Sequence, residues 1–165
     1  MRYAGLIKDD VNNGVGIGLT LFTQYCPHRC PGCHNPETWN KDGGKEFTAE
    51  TFDEIFDYFE TRKEAVRLTL SGGDPLANLP LTTVIAEEFK KRYPNKKLWV
   101  YTGYIFENLI KKEEYQNILG YIDVMIDGPF ILAQRDITLP FRGSSNQRII
   151  DVQKSLEKGE IVLYE

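Results

Sequence analysis

Three cysteines fall in one short run, Cys26-Pro-His-Arg-Cys30-Pro-Gly-Cys33, and the chain has no others. Thiolates are soft ligands that favour iron–sulfur clusters, zinc or cuprous copper. Three is one fewer than a closed four-thiolate site requires. Either a fourth ligand completes the set, or one coordination position stays open for chemistry. The only two histidines, His28 and His34, lie in or beside the run, so zinc with one of them as fourth ligand is an alternative. A single cysteine is ordinarily a small apolar core residue, but C-x3-C-x2-C spacing points to ligation. A disulfide framework fits poorly. The number is odd, and 165 residues can bury a core without covalent staples.

Three more segments join small residues to polar ones: Ser71-Gly72-Gly73-Asp74-Pro75, Thr102-Gly103-Tyr104 and Asp127-Gly128-Pro129. Taken singly, each reads as a turn. Their placement makes them more than that, because each ends an apolar, strand-like run. Strands are expected over 18–22, 66–70, 97–101 and 121–126, and the cysteine run follows the first. Helices are expected over 47–62, 81–92 and 106–119. In the first of these, Phe52, Ile55, Phe56 and Phe59 share one face and Thr48 can cap the start. In the tail, 147–151 reads as extended, 152–158 as a short helix and 161–164 as a terminal strand.

Strands alternating with helices imply a parallel sheet, and right-handed crossovers bring every strand's C-terminal end to one edge. The unusual loops then share a rim, where open α/β sheets and barrels place their sites. A full eight-unit barrel needs about 250 residues. The expected architecture is therefore α/β: an open, partial (β/α) barrel with a mostly parallel sheet, in a single domain spanning 1–165. Its gap would leave the site open on one side.

Composition narrows the function classes. A net charge of −4, with acidic and basic residues interspersed, argues against a nucleic-acid binder. No apolar stretch approaches the roughly 20 residues of a membrane helix, and no secretory signal is visible. A cytoplasmic location is expected, where cysteine clusters mean metal or catalysis. Lys90, Lys91, Arg92, Lys96 and Lys97 cluster about a helix end. They read as a solvated face suited to the helix dipole, or alternatively as a docking face for an acidic electron donor.

The cysteine run, joined to 71–75 at the end of the next strand, resembles the radical S-adenosylmethionine superfamily. This chain has Asp74 where most members carry Glu. Cys33-His34-Asn35-Pro36-Glu37-Thr38-Trp39 followed by Gly43-Gly44 resembles the glycyl-radical activating enzymes within it. Tyr101 to Tyr104, Asp127 to Phe130 and the run Arg142-Gly-Ser-Ser-Asn-Gln-Arg148 resemble the activating family of the anaerobic ribonucleotide reductases. The resemblance implies that Cys26, Cys30 and Cys33 hold a 4Fe-4S cluster whose fourth iron chelates S-adenosyl-L-methionine. It implies cofactor contacts from Gly32, Cys33, His34, Gly72, Gly73, Asp74, Thr102 and Asp127, with Asp127 toward ribose hydroxyls and positive φ at Gly73. It implies reductive cofactor cleavage and a glycyl radical made on the large reductase subunit. A one-electron donor such as flavodoxin would supply the electron. The segment 142–148 would help receive the partner's glycine-bearing loop.

Overall fold

A computed structural model describes residues 2–165. Seven strands form one open sheet in the order β3-β1-β2-β4-β5-β6-β7. At its centre β2 (Gly18–Thr23), β4 (Arg67–Gly72), β5 (Lys97–Tyr101) and β6 (Val124–Asp127) run parallel. Antiparallel strands flank them: β1 (Arg2–Asp10), itself paired with the two-residue β3 (Lys45–Glu46), on one side, and β7 (Arg148–Asp151) on the other.

Strand alternation divides the sheet into two unlike faces. Leu19, Leu21, Leu68, Leu70, Leu98, Val100 and Met125 point to one side, into the main core. There they meet Ile55, Phe56 and Phe59 of α1 (Ala49–Thr61) and Ile85, Ala86 and Phe89 of α2 (Leu79–Arg92). Each of these side chains except Ala86 contributes roughly 1.5–3 kcal/mol on burial, so this face fixes the sheet. The opposite face is smaller and mixed. Trp99, Val124 and Ile126 pack there with Tyr101, Phe141, Ile149 and Tyr164. Thr48 caps α1 as expected, in a reciprocal arrangement with Thr51.

Three expectations need correction. No strand was expected over residues 2–10, yet β1 is the longest in the sheet. Its pairing with β2 is interrupted by two irregularities, and its burial shows no clean alternation, so the period-2 signal is lost. The single helix expected over 106–119 is broken into α3 (Phe106–Leu109), a 3-10 turn (Glu113–Tyr115) and α4 (Gln116–Leu119). Lys112 is extended, and the Gln116 side chain donates to the carbonyl of Ile110, which the broken helix leaves free. The break lets Leu109, Tyr115, Ile118 and Leu119 all reach the core. Finally, the terminal strand expected over 161–164 is reduced to one bridge, Leu163 to Ile150.

Beneath the mixed face lies a buried ion pair. The Arg67 guanidinium donates to the Asp10 carbonyl at 2.6 Å and to Thr69 Oγ1 at 2.8 Å, with Asp10 Oδ2 at 3.4 Å. Burial alone would raise the Asp10 pKa. Hydrogen bonds from Thr20, Asn12 and Asn13 and the Arg67 charge outweigh it and hold the group below its ordinary 3.8. A carboxyl depressed in the folded state contributes stability fully above its ordinary value and loses it as the pH falls through the folded one. Acid melts followed by circular dichroism should therefore show Asp10→Asn less pH-sensitive than the parent below pH 3.8. Superimposable acid profiles would show that the carboxylate does not act this way.

Candidate metal and cofactor centre

The loops after β2, β4, β5 and β6 meet at one rim and enclose a cavity of about 140 Å³. Cys26, Cys30 and Cys33 border it from the first loop. Ser71, Gly72 and Gly73 border it from the second, Thr102 and Gly103 from the third, and Gly128 from the fourth. The convergence expected from strand order is what the structure has.

The cysteine loop is held in an expensive shape. Tyr25 has φ 92° and Arg29 has φ 50°, immediately before Cys26 and Cys30. Such backbone costs on the order of 1–3 kcal/mol per residue and persists only where surrounding contacts over-determine it. Those contacts are visible. Tyr25 N donates to Thr38 O at 2.6 Å, and the chain returns past the cavity at Trp39. Gly73 N donates to Thr23 O at 2.9 Å and Asp74 N to Tyr25 O at 2.8 Å, which dock the loop on the end of β4. A Cβ on Gly73 would stand 2.2 Å from Tyr25 O. Positive φ belongs to its neighbour Gly72, at 98°, and not to Gly73 as expected.

The sulfurs sit among amides. Asn35 N donates to Cys33 Sγ at 3.4 Å. Burial pushes the Cys26 thiol up, while hydrogen bonds from the His28 and Arg29 amides pull the other way and the Asp74 charge adds to the rise. No thiol is in a disulfide, and each is half-buried. Trp39, which borders the cavity, keeps its indole N–H buried without a partner. An orphan donor, ringed amides and three free thiols fit a sulfide-bearing cluster. Among the described residues, no three His, Cys, Asp or Glu side chains close on one point as a single ion requires. His28 Nε2 is committed to Asp74, and His34 is exposed, its ring packed on Phe130. His28 thus borders the cavity with Nε2 already engaged, and His34 does not border it.

Two expected contacts are redirected. Asp74 is fully buried, and both its oxygens accept protein donors, so its carboxylate is spent on the frame. Asp127 is likewise buried. It accepts from Phe106 N at the start of α3 and from Arg148, which also binds Glu107. That pairing draws the Glu107 pKa down and the Arg148 pKa up. Neither carboxylate borders the cavity. Gly32 and His34 do not border the cavity; they lie against Leu132 and Phe130, and Phe130 does border it. The basic cluster sits at the other edge of the sheet, where β5 begins, with Lys90 bonded to Asp123 and Lys96 to main-chain carbonyls.

Trp39, Tyr101, Ile126, Phe130 and Gln147 border the cavity without having been expected there. Tyr101 and Ile126 were within reach of sequence reasoning, since both occupy the last helix-free-face positions of their strands. Gln147 carried no such signal: its placement comes from a loop that folds back, with Nε2 donating to Gly128 O and Oε1 accepting from Gly143 N and Ser144 N.

The family described as "4Fe-4S single cluster domain" matches residues 12–150. The chain is 41% identical over 152 residues to the anaerobic ribonucleoside-triphosphate reductase-activating protein of Vibrio cholerae, covering 90% of this chain and 97% of that one. The Haemophilus influenzae protein of the same name gives the same identity and coverage. That of Enterobacteria phage T4 is 37% identical over 155 residues, covering 90% of this chain and 93% of its own. No helix among the described residues is long and apolar enough to cross a membrane. With three thiols on one strand-end cavity and likeness along nearly its whole length, the chain belongs to the 4Fe-4S single cluster domain family and, within it, to the anaerobic ribonucleoside-triphosphate reductase-activating proteins.

Proposed function

We propose that this protein is a radical S-adenosylmethionine activase, an oxidoreductase that makes a glycyl radical on the large subunit of an anaerobic ribonucleotide reductase. The observation that carries the reading is the set of three half-buried, unbridged thiols on one cavity with Gly72 and Gly73 across from them. Held by Cys26, Cys30 and Cys33, a 4Fe-4S cluster would supply the electron for reductive cleavage of S-adenosylmethionine, and with it the radical chemistry that reaches the partner's glycine.

The chain's own share is positioning. Cys26, Cys30 and Cys33 anchor the cluster. The Asn35 amide donates to Cys33 Sγ, which favours the reduced, more negative state. Gly72, Gly73 and Thr102 offer the cofactor a wall with few side-chain atoms, while Asp74 and Asp127 hold that wall from behind. We read the sheet as an open, partial (β/α) barrel whose gap admits the partner's loop, and water exclusion then falls to the partner. Gln147, which borders the cavity, supports a role for the segment 142–148 in receiving that loop. The protein works in the cytoplasm, where a one-electron donor such as flavodoxin reduces it.

The test is anaerobic incubation of reconstituted protein with S-adenosylmethionine, a reductant and the reductase large subunit, read by electron paramagnetic resonance. A glycyl radical signal that needs all components is expected. Cofactor cleavage without any radical on the subunit would overturn the choice of substrate.

A further inference from the structure

His28 stands in the arch between Cys26 and Cys30, yet its imidazole is turned inward. Nε2 lies 2.5 Å from Asp74 Oδ2. The ring packs edge-on against Tyr104, centroids 4.6 Å apart. Gly103 makes room for it, since a Cβ there would stand 2.6 Å from His28 Cδ2. Asp74 in turn is a node. It accepts from Thr102 Oγ1 at 2.9 and 3.0 Å, from Gly103 N at 2.9 Å and from Leu76 N at 3.0 Å. The buried carboxylate thus joins the arch to the ends of β4 and β5.

We propose that His28 is a positioning residue: through Asp74 it clamps the Cys26–Cys30 arch to the sheet and fixes how the two thiols are presented. Main-chain bonds hold the loop at its entry, at Tyr25, and at its return, at Thr38 and Trp39. Within the arch, the His28–Asp74 contact is the side-chain bond that reaches the sheet. A hydrogen bond to a charged group is worth about one to two factors of ten in a local opening equilibrium. Cys33 lies outside the arch and serves as an internal reference.

The clamp is separable from simple packing by three substitutions. His28→Gln places an amide donor where Nε2 stands. His28→Phe keeps the ring against Tyr104 and loses the bond, and His28→Ala loses both. In metal-free protein, alkylation of Cys26 and Cys30 by iodoacetamide should run about tenfold faster in H28F and H28A than in the parent. In H28Q it should return near the parent rate, with Cys33 unchanged throughout. The second readout rests on the cluster reading. In reconstituted protein, the line shape and midpoint potential of the reduced cluster should move in H28F and return in H28Q. If H28F protects its thiols as the parent does, the ring is packing and the clamp is wrong. The same holds if H28Q fails to restore protection. Should H28A not fold, the H28Q and H28F pair decides alone. A parent that assembles no cluster would refute the cluster reading, while the metal-free thiol rates would still judge the clamp.

Discussion

Serine in place of Cys30 should reduce cofactor cleavage to background while leaving a folded protein. The same is expected at Cys26 and Cys33. A three-thiolate site that loses one ligand keeps two anchors, and no fourth cysteine exists to replace it. The spare donors nearby are already engaged: His28 Nε2 holds Asp74, and His34 packs outside the cavity. The fold should tolerate each change. The thiols are half-buried and lie outside both apolar clusters, so little packing is lost. Thermal midpoints of the metal-free variants should stay within about 2–4 °C of the parent, the shift that about 1 kcal/mol produces at this size. Iron and sulfide content after anaerobic reconstitution, with methionine and 5′-deoxyadenosine release, completes the measurement. Undiminished cleavage by Cys30→Ser would refute the ligand assignment. The open coordination position adds a corollary, that the reconstituted cluster should bleach in air.

Much of this site could be read before any coordinates, and the reasons are local. Cys26 to Cys33 declare themselves by spacing, and the alternation of apolar strands with amphipathic helices puts four loops on one rim. What could not be read is which polar groups face the cavity and which face the protein. Asp74 and Asp127 sit in turn-like motifs that look equally ready for a ligand. Only the positions of Thr102, Gly103, Phe106 and Arg148 reveal that their oxygens are already taken. Those partners lie 21 to 29 residues away in sequence, so no local pattern announces them. The strand β1 escaped for a related reason. A bulged strand next to the sheet's edge obtains its long pairing from β2 and leaves little periodic trace in its own residues.

The glycine pair shows what this redistribution means for function, and it yields the second large effect. Gly73→Val should cripple cluster assembly by lifting the cysteine loop off the sheet. The new side chain would meet Tyr25 O at 2.2 Å and Thr38 O at 3.1 Å, which is main chain on both strands of the loop's base. Neither can swing aside as a flexible side chain would. Relief requires breaking the Gly73 N to Thr23 O and Asp74 N to Tyr25 O bonds, the two that dock the loop. Overpacking of this kind costs typically about 1–3 kcal/mol, and each lost bond adds about 0.5–1.5 kcal/mol. Gly72→Ala should do comparable damage by another route. A Cβ at φ 98° is strained, and it would stand 2.4 Å from Thr23 N. Both variants should therefore lower the thermal midpoint of metal-free protein and its capacity for iron together, with cofactor affinity falling as a consequence. This differs from a glycine kept bare only for a ligand, whose substitution would spare the metal-free fold and the cluster and lose only the cofactor. A Gly73→Val protein with parental melting and parental iron content, but no S-adenosylmethionine binding, would return the pair to a direct cofactor role. Joint loss would establish that the 71–75 segment acts first as the seat of the cysteine loop.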